Sequence, residues 1–244
     1  MRANYRLCVS KVDADSGCKK VEDNKISSTF FPRSETKNDW ELGVLDFEMD
    51  YAYSDEVINQ LIAQIKKAIK KVLKFKIKSD LTILSIGVGN PSFTADCFGV
   101  EVSKKISNIL QTSFRSKNSK IRLCYFNPDI RAKTGLNTID LINQVIKTAL
   151  PDIIFIFDCF ASKHAQKIGK CIQVKNTPLK PASAVCGYDE LIDANGARVI
   201  SIGAVLLGVK PASDLLVLKS NADLLTSRLS YAVSKAVSAI IKEL

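Results

Sequence analysis

The chain has a single histidine, His164, among its 244 residues. That excludes His-rich metal centres and every Ser-His or Cys-His scheme that does not run through His164. Aromatic residues make up only 7% of the chain, which argues against a surface built to stack on exposed bases. Long hydrophobic runs are also missing. The longest, Val199–Val209, is broken by Ser201, Gly203 and Gly208, far short of the roughly 20 apolar residues that cross a bilayer. The opening MRANYRLCVSKVDADSG lacks the apolar core of an export signal, so no signal peptide is expected there. Seven cysteines include no C-x-x-C pair, so the spacing of a zinc site is absent. Reduced thiols in a cytoplasm are the expectation. No internal repeat and no low-complexity tract is visible.

What is present is charge, unevenly placed. Lys and Arg number 35 and Asp and Glu 25, a net of +10. Residues 1–56 hold 8 basic and 12 acidic side chains, a net of −4; the remainder holds 27 and 13, a net of +14. A solvated lysine surface is the ordinary reading of such an excess. An anionic partner, or an acidic segment lying on a basic body, are the sharper ones.

Residues 1–43 are polar and are expected to form a poorly ordered or loosely packed extension. Residues 44–244 read as a single α/β domain. Gly43–Asp50 has the alternation of a strand. Ser54 is placed to cap a helix whose Asp55 and Glu56 suit the positive end of the dipole. Ile58, Leu61, Ile65, Ile69 and Val72 then recur at helical spacing, with Lys66, Lys67, Lys70 and Lys71 on the opposite side, up to about Phe75. Strands are expected at Leu81–Val88, Ile121–Phe126, Asp152–Phe157, Cys171–Val174 and Val199–Leu206. Helices are expected from Thr94 to about Phe114, over Thr138–Ala149 and over Asn221–Glu243. Strands that are apolar throughout and alternate with helices predict a three-layer α/β/α fold around a mainly parallel sheet.

In such sheets ligands bind beyond the carboxyl ends of the strands. Gly87-Val88-Gly89-Asn90-Pro91-Ser92-Phe93-Thr94-Ala95-Asp96 follows the first apolar strand, and Asp158-Cys159 follows the third. Two carboxylates, Asp96 and Asp158, therefore reach one sheet edge from different strands. Four chemistries compete for this edge. A dinucleotide site would use Gly87-x-Gly89, but its third glycine is Ser92. A P-loop lacks its G-K-[ST]. A metal site could combine Asp96 and Asp158 with a thiol or His164, although no spacing supports it. A carboxylate pair could act on water, one member taking its proton while the other polarises a carbonyl. Each Asp could equally be a capping residue. Cys97 and Cys159 directly follow the two aspartates and fit small buried hydrophobes.

These segments resemble those of the germination protease family. Gly87–Gly99 (GVGNPSFTADCFG) is similar to that family's G-x-G-N-x-x-x-T-x-D-x-x-G. Pro151-Asp152 with Ile156–Ala161 (IFDCFA) resembles its PD…IDALA, and Gly135–Val145 (GLNTIDLINQV) its G-x-x-T-x-x-x-I. Thr177–Val185 (TPLKPASAV) is similar to T-x-x-H-P-G-S-G-V, with Lys180 in place of His and Ala182 and Ala184 in place of Gly. Val199–Ala204 (VISIGA) matches the apolar strand that follows. The resemblance implies an α/β/α fold shared with hydrogenase-maturation endopeptidases. It implies an endopeptidase that degrades small acid-soluble spore proteins, with Asp96 and Asp158 as the catalytic pair. Asn90, Thr94, Thr177, Lys180 and Ser183 would shape the substrate cleft. It further implies a zymogen, a homo-oligomer and a spore or forespore interior. No metal, cofactor, membrane or nucleic-acid partner is expected. The alternatives are a catalytically inactive protein-binding member of the same fold, favoured by the altered Lys180–Ala184 loop, and an anion- or nucleic-acid-binding protein.

Overall fold

The computed structural model describes residues 10–11, 26–31, 41–47, 54–73, 80–111, 120–181, 192–209 and 216–244. Nine strands and five helices lie within them: β1 (Ser10–Lys11), β2 (Ser27–Phe31), β3 (Leu42–Asp46), α1 (Asp55–Val72), β4 (Leu81–Gly87), α2 (Phe98–Gln111), β5 (Ile121–Phe126), α3 (Arg131–Thr134), α4 (Thr138–Ala149), β6 (Ile153–Ser162), β7 (Cys171–Lys175), β8 (Arg198–Val209), β9 (Leu216–Val217) and α5 (Ala222–Glu243). The expected ends of the first two long helices, near Phe75 and Phe114, fall outside the described residues, as do Ser183, Ala182 and Ala184.

One sheet runs in the order β2-β3-β7-β8-β6-β4-β5, with β1 added to β6 and β9 to β8. The α/β class holds, but the sheet is mixed rather than mainly parallel. The half β8-β6-β4-β5 is parallel. Strands β7, β3 and β2 join antiparallel. Within the expected extension, β2 pairs with β3 and β1 pairs with β6.

Each face of the sheet is covered, for reasons visible in the chain. Helix α1 starts where the Ser54 hydroxyl accepts a hydrogen bond from the Val57 amide at 3.2 Å. It buries Ile58, Leu61, Ile65, Ala68, Ile69 and Val72. With α2 and α5 it covers one face, packing on Ile83, Phe155, Phe157, Ile172 and Ile202. Complete burial of a Leu or Ile such as Leu61 or Ile65 contributes about 1.5–3 kcal/mol. Helix α4 covers the other face through Ile142 and Ile146, against Leu84, Ile86, Ile154 and Ile156. The Asn137 side chain caps it by accepting from the Ile139 amide, and Leu150 in the left-handed conformation ends it before Pro151.

Two element boundaries differ from the periodicity. Helix α2 begins at Phe98 rather than Thr94, because Asn90–Cys97 forms a compact turn of its own. Strand β6 continues five residues past Phe157 to Ser162, buried at every position, because β8 pairs with it along its whole length. A carboxylate in mid-strand hides that continuation from a pattern of apolar residues.

Candidate active site

The last register pair of β4 and β6 is Gly87 with Phe157, and the Val88 amide donates to the Phe157 carbonyl at 2.9 Å. There the two strands part. The chain of β4 turns away through Gly89, whose φ of +124° is open to glycine and strained for other residues. A Cβ on Gly89 would collide with the Asp96 carbonyl and stand 3.3 Å from Asp96 Oδ1. A Cβ on Gly99 would collide with the carbonyls of Phe157 and Val88. Bare backbone at these two glycines therefore lets the start of α2 rest on the end of β4 and on the residue just before Asp158.

Within the turn, Asp96 is 1% exposed, and its Oδ2 accepts a hydrogen bond from the Asn90 amide at 2.9 Å. Asn90 is buried too, and its Oδ1 accepts from the Ser92 amide at 3.0 Å. The Cys97 thiol donates to the Thr94 carbonyl at 3.1 Å. Asp158 is fully buried in β6, one residue beyond the last β4 pair. The thiol of Cys159 is pushed well above the ordinary cysteine range, first by burial and then by the charges of Asp96 and Asp158. Both carboxylates thus act on one buried atom. The half-buried Cys97 thiol is raised by burial, then by Glu101 and Asp96.

Other residues expected here stand differently. Asn90 is part of the Asp96 turn, and Thr94 is exposed on it. Thr177 accepts from the Ser201 hydroxyl through its carbonyl at 2.5 Å. Strand β7 runs antiparallel to β8, so Thr177 lies toward the amino edge of β8, whereas Asp158 pairs with Gly203 further along. Lys180 is half-buried, next to Leu179, which joins the core that contains Ile156 and Phe160. His164 begins a 3-10 turn, Ala165–Lys167, after β6, and its amide donates to the Ser162 hydroxyl. Among the described residues no three His, Cys, Asp or Glu are grouped to hold a metal ion. The phosphate cradle suggested by Gly87-x-Gly89 is filled by Asp96 itself.

Two polar residues on the Asp158 face of the sheet, Gln173 and Lys175, carry no role in the sequence reading. Gln173, Gly203 and Asp158 are register partners across β7, β8 and β6. The Phe160 ring lies on Gly203, where a Cβ would collide with three of its atoms. Lys175, 3% exposed, holds its ammonium 5.7 Å from the centroid of that ring. The signal was Gln173 and Lys175 two apart in CIQVK, hence on one face of a buried strand.

Helix layers on both faces of a mixed sheet, with a buried Asp96 in the turn after β4 and a buried Asp158 within β6, one residue beyond the last β4 pair, define a three-layer α/β protein. The family model that matches residues 45–219 is that of germination protease. The chain belongs to the germination protease family. It is 31% identical over 158 residues to a germination protease of Clostridium tetani, covering 60% of this chain and 49% of that one. It is 25% identical over 222 residues to that of Clostridium acetobutylicum, covering 83% and 67%. It is 30% identical over 149 residues to that of Bacillus subtilis, covering 57% and 40%. The chain thus spans about half the length of the curated relatives it matches. Among the described residues no helix is long and apolar enough to cross a membrane.

Proposed function

We propose that this chain is an endopeptidase that cuts small acid-soluble spore proteins with Asp96 and Asp158 acting on water. The observation that carries this reading is the seating of the Asp96 turn on Phe157, the residue before Asp158, through Gly89 and Gly99. Membership of the germination protease family supports the substrate class. In this scheme the two carboxyl groups share one proton, since two carboxylates brought to one water do not both ionise readily. The ionised member takes a proton from water as the water oxygen attacks the peptide carbonyl carbon. The protonated member donates to the carbonyl oxygen. Collapse of the tetrahedral adduct breaks the C–N bond, and the amine leaves with a proton. No metal or cofactor enters this scheme. A homo-oligomer, synthesis as a zymogen and residence in the spore or forespore interior belong to the same proposal.

The test is incubation of the chain with a small acid-soluble spore protein. Asp96→Asn and Asp158→Asn should each lower turnover about 100-fold or more, the low end of what a positioned acid or base contributes. Cleavage that survives both substitutions together defeats the assignment. Saturable binding without turnover over a broad pH range would instead favour a binding-only member, a reading that Lys180 in the Thr177–Val185 loop supports.

A further inference from the structure

Strand β6 has partners of unequal length. On one side β8 pairs with it from Ile153 to Ser162. On the other side β4 pairs only from Ile153 to Phe157 and then turns away at Val88. Residues Asp158–Ser162 are nonetheless buried. Backbone N–H and C=O groups in a buried strand require partners. Ser10 and Lys11 supply them, as β1, parallel to β6 and in register with Phe160 and Ala161. The place that β4 vacates is therefore a strand-wide slot, beginning just past Asp158, and a short piece of extended chain sits in it.

We infer that this open side of β6 is the docking strand for the main chain of an extended peptide, and that the docked residues lie C-terminal to the bond that is cut. Pairing by backbone alone demands an extended segment with free N–H groups and reads no particular side chain. The direction follows from β1, which runs parallel to β6. A peptide residue opposite Phe160 stands about 7 Å beyond the level of Asp158, at roughly 3.3 Å per residue. The peptide residue level with Asp158 is thus two positions earlier in its own sequence. Val88 holds the place level with Asp158 on this side, so the substrate chain leaves β6 there, offers the peptide bond just upstream of the docked residues to the carboxylates and leaves its downstream residues on Phe160 and Ala161. Residues 10–11 compete for the slot from within the same molecule, at high effective concentration. The location of the cut rests on the peptidase reading above; the docking itself does not.

Hydrogen exchange on the full chain carrying Asp158→Asn tests the docking without turnover. With a small acid-soluble spore protein bound, the amides of residues 10–11 should lose protection while those of Phe160 and Ala161 keep it. Saturated binding that leaves residues 10–11 protected, or no binding at all, overturns the inference. If Asp158→Asn does not fold, the same exchange is read on the wild-type chain with a substrate peptide N-methylated at the bond that is cut. In the active chain, Ser10→Pro with Lys11→Pro should lower KM and leave kcat unchanged. If the slot is filled in nine of ten molecules, the fall is about tenfold. An unchanged KM in a folded double variant counts against the shared slot. Displacement without any cleavage by the wild-type chain would remove the peptidase reading and leave the docking strand standing.

Discussion

Gly89 and Asp96 are interlocked: the Asp96 carbonyl oxygen occupies the space where a Cβ of Gly89 would stand, and Gly89 holds a φ of +124°. Conformation and contact both restrict this position to glycine. Gly89→Ala should therefore cost about 2–5 kcal/mol, summing backbone strain and overpacking. Urea unfolding of the variant measures it. Turnover should fall with stability, because the turn that clashes is the one that holds Asp96.

Asp96 has a structural duty as well as its proposed chemical one, since its Oδ2 accepts from the buried Asn90 amide. Asp96→Ala leaves that N–H unsatisfied, at a cost of about 1–3 kcal/mol. Asp96→Asn keeps an acceptor oxygen in place and should unfold closer to wild type. A pair of denaturation curves beside a pair of activity assays separates the two duties. Loss of turnover without loss of stability in Asp96→Asn is the expected pattern.

The Phe160 ring fills the space that Gly203 leaves open on β8. Gly203→Ala should be destabilising alone, because the ring must move. Phe160→Leu should cost stability alone through lost volume. Together they should lose less than the sum, with a coupling of about 1 kcal/mol or more, as expected for residues that share one space. A double-mutant cycle by urea unfolding reads the coupling. Simple additivity would show that the ring does not depend on the missing Cβ.

Burial and two carboxylates raise the Cys159 thiol above its unfolded value of 9.0. The folded protein therefore favours the protonated thiol. Its contribution to stability is complete below about pH 9 and is lost as pH rises toward the folded pKa. Each pH unit in that window removes up to about 1.4 kcal/mol. Cys97 and Tyr125 are raised too and slope the same way. The share of Cys159 is read by comparing Cys159→Ala with wild type between pH 8 and 11. The variant should show the shallower decline, and equal slopes would mean that Cys159 does not titrate in this range.

Much of the fold was legible because its elements carry strong periodic signals. Five of the six buried positions of α1, the capping role of Ser54 and the mostly apolar β4 follow from spacing and residue type. Asp96 was legible as a residue following an apolar strand, whereas Asp158, read as following one, lies within β6. The antiparallel half of the sheet was not legible, since strand direction depends on which neighbour a strand finds. Ser27–Phe31 and Ser10–Lys11 carry no alternation that marks them as strands, and the partner of Ser10–Lys11 lies 150 residues away in the chain. Lys175 and Gln173 escaped notice because burial of a polar side chain is a property of its surroundings.

The sequence by itself determined the layered α/β class and the uneven charge, through mostly apolar strands that alternate with amphipathic helices. Those are local properties, fixed by residue type and spacing. Tertiary structure decided the rest: that the Asp96 turn rests on Phe157, that Cys159 feels both charges, and that β6 outruns β4 and receives residues 10–11 on its open side. These relationships join residues as many as 150 positions apart, and only packing and backbone pairing can bring such residues together.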